Sequence, residues 1–317
     1  MITVSVCCIT YKHEQFLAQA IESVLAQQTD FSVEMVIGDD CSPDGTARLA
    51  QKYAASYPGQ VRVLARQHNL GIMPNLLATW AECRGEYIAF LEGDDYWTDP
   101  TKLQRQVAAL RENPDCNLCF HDAEAFYDDL SGENWTFHAR FGLPDPATTT
   151  APRRYAHAEL VRKGWCMPSA SMLFRASSLP QPLPAWLVGV FSGDYSLQLL
   201  STRHGAALYL PRQMARYRLH SGGVVQTSHN TLAQNTRRIH EAKHYKQLLS
   251  RELRGHIDGY LEYLYFERSE KLGATGQRWH KLYFYLKAIT VNKEQVLSHA
   301  KRLIFKVAMP SRSNTGK

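Results

Sequence analysis

Apolar positions change their period several times along the chain, and those changes divide it. The opening run "ITVSVCCI" is almost continuously apolar and rich in β-branched residues, the pattern of a strand buried on both faces. Phe16, Leu17, Ala20, Ile21, Val24 and Leu25 then recur at the spacing of one helix face. "VEMVIG" reads as a second strand, and the turn-rich "DDCSPDGT" leads into a helix over 47–56. "QVRVLA" is a third strand, "MPNLLATWAEC" a third helix and "EYIAFL" a fourth strand. Strands alternating with helices over short connections predict an α/β fold with a mostly parallel sheet and helices on both faces.

Beyond residue 115 the pattern is less regular. "CNLCFHD" reads as a strand, Pro, Gly and Thr clusters predict a long loop near 142–153, and regularity returns at "SASMLF", the helix "DYSLQLLSTR" and the strand "AALYL". After "YRLHSGG" the periodicity is helical through Thr231 to about Leu272, then in "RWHKLYFYLKAI" and "VLSHAKRLIFKVAM". A chain of 317 residues exceeds what one core usually serves. The expected organisation is one α/β domain built from halves 1–115 and 116–229, followed by a helical extension over 230–317.

Charge sharpens that boundary. Residues 1–229 hold 19 Lys and Arg against 23 Asp and Glu, whereas residues 230–317 hold 17 against 7, so the net +6 belongs to the extension. Such an excess suits an anionic partner, either a membrane surface or a polyanion, although a charge-rich helical face is more often merely solvated, and no feature points to nucleic acid. In "RWHKLYFYLKAI", Trp279, Leu282, Leu286 and Ile289 share a helix face among Arg278, Lys281 and Lys287, a pattern that fits an interfacial helix or packing on the α/β domain. The opening "MITVSVCCIT" lacks the charged start and cleavage site of a signal peptide, and no run reaches the roughly 18 apolar residues of a membrane span, so the expected location is the cytoplasm. Seven cysteines, an odd number, fit reduced thiols. The spacing of Cys116 and Cys119 has no second pair to complete a zinc site.

In an open α/β sheet, ligands bind beyond the carboxyl ends of the strands, where strand order reverses. That edge gathers Thr10 and Tyr11 after the first strand, Asp39 and Asp40 after the second, Arg66 after the third, and Glu92, Asp94 and Asp95 after the fourth. Neighbouring carboxylates are hard oxygen ligands for Mg²⁺ or Mn²⁺, ions held together with substrate phosphates. An isolated carboxylate such as Asp40 suits a base N–H or a ribose hydroxyl. A G-x-G-x-x-G fingerprint and a Walker loop are both absent, which disfavours nicotinamide and P-loop chemistry.

"VSVCCITYKHEQFLAQAIESVLAQ", "VIGDDCSPDGT", "HNLG", "GEYIAFLEGDDYW" and "DPTKLQRQV" occur in order and at matching distances. Together they resemble the family 2 glycosyltransferases of GT-A fold, Rossmann-like enzymes that use nucleotide sugars to build bacterial surface polysaccharides. The resemblance spans residues 1–115 and continues more weakly to about 225. It implies an inverting transfer from a nucleoside-diphosphate sugar, of UDP or dTDP type, to a glycan or lipid-linked acceptor, with Mn²⁺ or Mg²⁺ as cofactor. Thr10, Tyr11, Asp39, Asp40, Arg66 and Asp94 would hold the nucleotide, Asp95 and Asp94 the metal, and Glu92 would support them. "GDYSLQLL" resembles the segment of the catalytic base, here Asp194. "YRLHSGG" resembles the closing segment, in which Arg218 and His220 reach the diphosphate and His220 also reaches the metal. Two positions depart from the pattern: Gly193 stands where many members have Glu, and Cys41 where many have Gly.

Plainer roles exist for several of these residues. Asp39, Asp40, Asp94 and Asp95 are also turn formers, and Asp194 stands where a helix N-cap is expected. His121 and Asp122 read as supporting residues rather than catalytic ones, and Trp165 with "CMPSASM" fits either the acceptor side or the core. Two rival functions follow: a nucleotide-sugar or glycan-binding subunit without a base, and a sugar nucleotidyltransferase. The second is disfavoured because "TYKHEQF" has no glycine.

Overall fold

The computed structural model describes residues 2–129, 131–223 and 231–291, which fall into two compact units, Met1–His229 and Asn230–Lys317. In the first, strands β1 (Val4–Thr10), β2 (Val33–Asp39), β3 (Val61–Ala65) and β4 (Tyr87–Glu92) alternate with helices α1 (Leu17–Leu25), α2 (Thr46–Ser56) and α3 (Ile72–Trp80). These four strands are mutually parallel in the order β3-β2-β1-β4. Every residue of β1 is buried, so the continuous apolar run has a helix-covered face on either side.

The second half of the unit extends the same sheet. It adds β5 (Tyr96–Trp97), α4 (Lys102–Glu112), β6 (Cys116–Tyr127), β7 (Trp135–Thr136), α5 (Phe137–Phe141), β8 (Arg153–Ala156), α6 (His157–Lys163), β9 (Leu173–Arg175), α7 (Gly193–Thr202) and β10 (Ala206–Leu219). Sheet order continues β4-β9-β6-β10-β5, with β6 and β10 parallel and β9 antiparallel to both neighbours. The strand expected at "AALYL" runs on to Leu219. Pro211 reads as a break, but the register shifts between Leu210 and Gln213 absorb it as a bulge, where a missing N–H costs no ladder bond. That extension carries Arg218 and His220 to the carboxyl edge. All seven cysteines are free thiols, Cys116 and Cys119 being buried in β6.

Strand order reverses between β1 and β4, where Ile9 lies opposite Glu92. Gly93 allows the turn after β4 to close against β1: a Cβ there would stand 2.5 Å from the Thr10 hydroxyl and 3.1 Å from Nδ1 of His13. Beneath this turn, Trp97 Nε1 donates to Ala170 O at 2.8 Å. The buried ammonium of Lys102 lies 3.9 Å from the Trp97 ring centroid and donates to Gln106.

Burial pushes the Lys102 ammonium down from 10.5 to about 7. Between those values the unfolded chain binds a proton that the folded chain does not, so this group makes wild-type stability rise with pH. Urea midpoints of wild type and Lys102→Met at pH 6, 8 and 10 are expected to shift steadily in favour of wild type. A difference independent of pH would show that Lys102 keeps its ordinary proton affinity.

The second unit contains α8 (Leu232–Leu248), α9 (Arg254–Ala274) and α10 (Arg278–Val291). Thr231 and Gln234 close a capping box at the start of α8. Phe284 and Tyr285 of α10 meet Tyr265 and Phe266 of α9, and Ala288 is fully buried. Trp279, Leu282 and Leu286, expected to share a face, lie outward on one helix at 83%, 43% and 50% exposure. The expected helix "VLSHAKRLIFKVAM" lies outside the described residues.

Candidate active site

A cleft at the β1/β4 reversal is lined by Thr10, Tyr11, His13, Asp40, Ile72, Asn75, Glu92 and Asp94, with Gly222 and Gly223. Each strand end contributes in a different way. Asp40 bridges the second and third: its carboxylate accepts from Leu70 N at 2.7 Å and Gly71 N at 2.9 Å, while its own N–H donates to Thr10 O. Tyr11 and Ile72, both partly exposed, give the cleft an apolar rim near that carboxylate.

Asp39 serves the turn: its oxygens accept from Ser42 N and Ser42 Oγ. Arg66, expected at the nucleotide, donates to Asn75 Oδ1 and Thr79 Oγ1 on α3 and is absent from the cleft lining among the described residues. Cys41, where the related pattern has Gly, keeps a left-handed φ of 60°. The turn is therefore retained at a steric cost of roughly 1–2 kcal/mol.

The acidic loop separates its three carboxylates. Asp94 Oδ2 lies 3.1 Å from His220 Nε2 and 3.7 Å from His13 Nε2, and the three side chains can each direct one ligand atom into a group within 4.8 Å. Asp95, expected as the direct metal ligand, is not part of this group: Oδ1 accepts from Arg218 N at 2.8 Å, and Oδ2 is buried with no hydrogen-bond partner among the described residues. Glu92 accepts from Ser169 Oγ at 2.9 Å. His13 carried no role in the sequence reading, although its position three residues beyond β1 marks it as an edge residue.

Electrostatics separate the acids further. Burial pushes Asp94 upward, but His13 and His220 outweigh it and hold the carboxyl below its ordinary range. Burial, then Asp94, raises Glu92 to about 8, and Asp194 adds to that. Burial and the charges of Asp94 and Glu92 raise Asp95 well above its ordinary range. Burial lowers His13, so its ring favours the neutral form that ligates metals.

Asp94 Oδ1 and His13 Nδ1 are buried with no hydrogen-bond partner among the described residues, and the cluster has one carboxylate and two imidazoles. This donor set fits a divalent cation. Two nitrogen donors argue against Mg²⁺, which takes oxygen ligands.

Arg218 braces the loop rather than facing the cleft. Nε donates to Asp94 O at 2.8 Å, Nη2 to Gln19 Oε1 at 2.6 Å, and Nη1 pairs with Asp128. Its guanidinium also lies over Phe16 and Phe126.

Asp194 stands in the first turn of α7. Oδ1 accepts from Tyr195 N at 2.8 Å and Oδ2 from Trp165 Nε1 at 2.5 Å. Trp165 is itself held edge-on by Phe137 and Phe141. By sequence this tryptophan fits either the acceptor side or the core, with no signal for its bond to residue 194. Burial raises the Asp194 carboxyl, and the Trp165 and Tyr195 bonds oppose the rise. At Gly193 a Cβ would stand 2.4 Å from Met73 Sδ, so α3 occupies the space that a glutamate would need.

The sequence matches the Glycosyl transferase family 2 profile over residues 5–167. An uncharacterized protein of Mycobacterium tuberculosis is 33% identical over 220 residues, 69% of this chain and 60% of that one. An uncharacterized glycosyltransferase of Nostoc sp. is 28% identical over 226 residues, 68% of this chain and 65% of its own length. This chain thus spans less than two thirds of these relatives. Among solved structures, Staphylococcus aureus TarS 1-349 in complex with UDP-GlcNAc superposes with a TM-score of 0.63 at 17% identity, covering 92% of this chain and 83% of that one.

Proposed function

This chain belongs to glycosyl transferase family 2, and from that premise we propose that it moves a sugar from a nucleoside diphosphate to a hydroxyl of a glycan or lipid-linked acceptor, with inversion and dependence on a divalent cation. The observation that carries the proposal is the group of His13, Asp94 and His220 at the sheet reversal, beside the Asp40 carboxylate and the rim of Tyr11 and Ile72. The nucleoside is assigned to the Asp40 side of the cleft, between Tyr11 and Ile72. A UDP donor is favoured because TarS, of like fold, was solved with UDP-GlcNAc.

His13, Asp94 and His220 are the proposed metal ligands, with Mn²⁺ preferred. When bound, the cation neutralises charge on the departing diphosphate. Asp95 and Arg218 hold the loop that presents Asp94. Asp194 takes the proton from the acceptor hydroxyl as its oxygen bonds to the anomeric carbon and the bond to the diphosphate breaks. A single displacement of this kind inverts the anomeric centre. The cytoplasmic location expected from the sequence is part of the same proposal. Among the described residues no helix is long and apolar enough to cross a membrane.

The test is a thermal-shift panel of nucleoside diphosphates and nucleotide sugars with and without Mn²⁺, followed by NMR of the product's anomeric configuration. A ligand at 100 times its Kd stabilises the native state by about 2.7 kcal/mol. A shift with UDP that requires Mn²⁺ is expected. Retained configuration would refute the single displacement, and the absence of any shift would refute the site.

A further inference from the structure

The water-facing side of α10 has inverted polarity. Trp279, Leu282, Tyr283 and Leu286, spaced i, i+3, i+4 and i+7, are 83%, 43%, 55% and 50% exposed. The helix packs on α9 through another face, with Phe284 against Tyr265, Tyr285 against Phe266, and Ala288 buried. The outward stripe is therefore surplus to the packing between these two helices. Single exposed apolar residues need no explanation, whereas four on one helical face mark a contact surface.

We propose that this stripe seats α10 in the surface of an anionic bilayer. Trp and Tyr favour the boundary between headgroups and acyl chains, where an apolar ring and its polar edge are both satisfied, and leucines supply the depth. Charge points the same way. Residues 230–317 carry 17 Lys and Arg against 7 Asp and Glu, and the 26 residues after Val291 carry six against one. Each basic residue near an anionic surface adds to binding, so a cationic unit bearing an apolar stripe fits lipid better than a neutral or acidic protein. A second copy fits less well. Like-charged units repel, and four side chains on one helix fall short of the roughly 800 Å² per partner that a stable interface buries. Residues of the candidate active site take no part in this argument, so the two proposals stand or fall separately.

The full chain is sedimented with vesicles of phosphatidylcholine alone and of phosphatidylcholine with phosphatidylglycerol, at low and high salt. Binding to the anionic vesicles is expected, weakened by salt because the charge contribution is screened. The Trp279→Ser, Leu286→Ser double variant should bind about tenfold or more weakly, since each residue buries several methylene equivalents in the interface. Its circular dichroism and melting temperature should remain as in wild type, which separates loss of the stripe from loss of fold. Equal binding by variant and wild type, or no binding to either vesicle, would overturn the proposal. So would a concentration-dependent dimer, seen by light scattering, that the double variant abolishes while vesicle binding persists; that result would assign the stripe to a second copy.

Discussion

Asp194→Asn is expected to lower turnover by about 10²–10⁴-fold, the usual contribution of a positioned general base, while leaving donor affinity close to wild type. Asparagine keeps the size of the side chain and its Oδ1 can accept from Trp165 Nε1 or Tyr195 N, but not both, so the variant loses proton acceptance together with one of the two hydrogen bonds. Steady-state kinetics with a fixed donor would show a fall in kcat with little change in donor KM. Undiminished turnover would remove Asp194 from the reaction and favour a binding protein on the same fold. The pH profile supplies a second reading. Burial raises the Asp194 carboxyl, so activity should fall away on the acid side at a pH above the ordinary carboxylate range. Glu92 and Tyr217 are the titratable neighbours whose own proton affinities register the Asp194 charge. Trp165→Phe removes a donor that stabilises the ionised base. The acid limb is then expected to move to still higher pH and kcat to fall, a displacement that a packing defect alone would not cause.

The second large effect belongs to Asp94. Asp94→Ala should cost on the order of 10²–10³ in turnover, as loss of a main stabiliser of a charged leaving group does, and should abolish the Mn²⁺-dependent component of nucleotide binding measured by calorimetry. Asp95→Asn is the informative contrast. Asp95 Oδ1 accepts the Arg218 N–H and its carboxyl is raised well above the usual range, so a neutral isostere fits the site. Mn²⁺ affinity should persist in Asp95→Asn. The opposite ranking of the two variants would return the metal to Asp95, as the adjacent acids in the sequence had suggested.

These contrasts locate what the sequence could convey. The four parallel strands of the first half were legible because each is a buried apolar run bounded by turn residues, and the candidate edge residues follow directly from strand ends. Which of two adjacent aspartates meets the histidines was not legible. It depends on how the loop turns at Gly93 and on Arg218, 124 positions away, which donates to the backbone carbonyl of Asp94. His13 was missed because a lone histidine in a polar stretch has no periodicity, and its partners Asp94 and His220 lie in the segments that follow β4 and β10. Arg66 and Arg218 were expected to face ligand because the family resemblance implied it. Their guanidinium groups are instead occupied by Asn75 and Thr79, and by Gln19, Asp94 and Asp128.

The order of strands also bears on how such enzymes can diversify. β9 is wedged between β4 and β6, and β5, which comes from the first half of the chain, pairs with β10 from the second. Gln106 ties the halves again by donating to Cys119 O and Ser171 O. The first half of the sheet therefore cannot be exchanged between relatives as a cassette: a crossover near residue 115 would have to rematch a shared core on both sides. Sequence change is accommodated more easily in the irregular stretch between Gly142 and Pro152, which joins α5 to β8 without a regular element of its own. Recombination libraries drawn from this family should yield insoluble chimeras for a single breakpoint either near residue 115 or in that stretch, because β9 and β10 pair with β4, β5 and β6 across both, whereas exchanges confined to that stretch should stay folded.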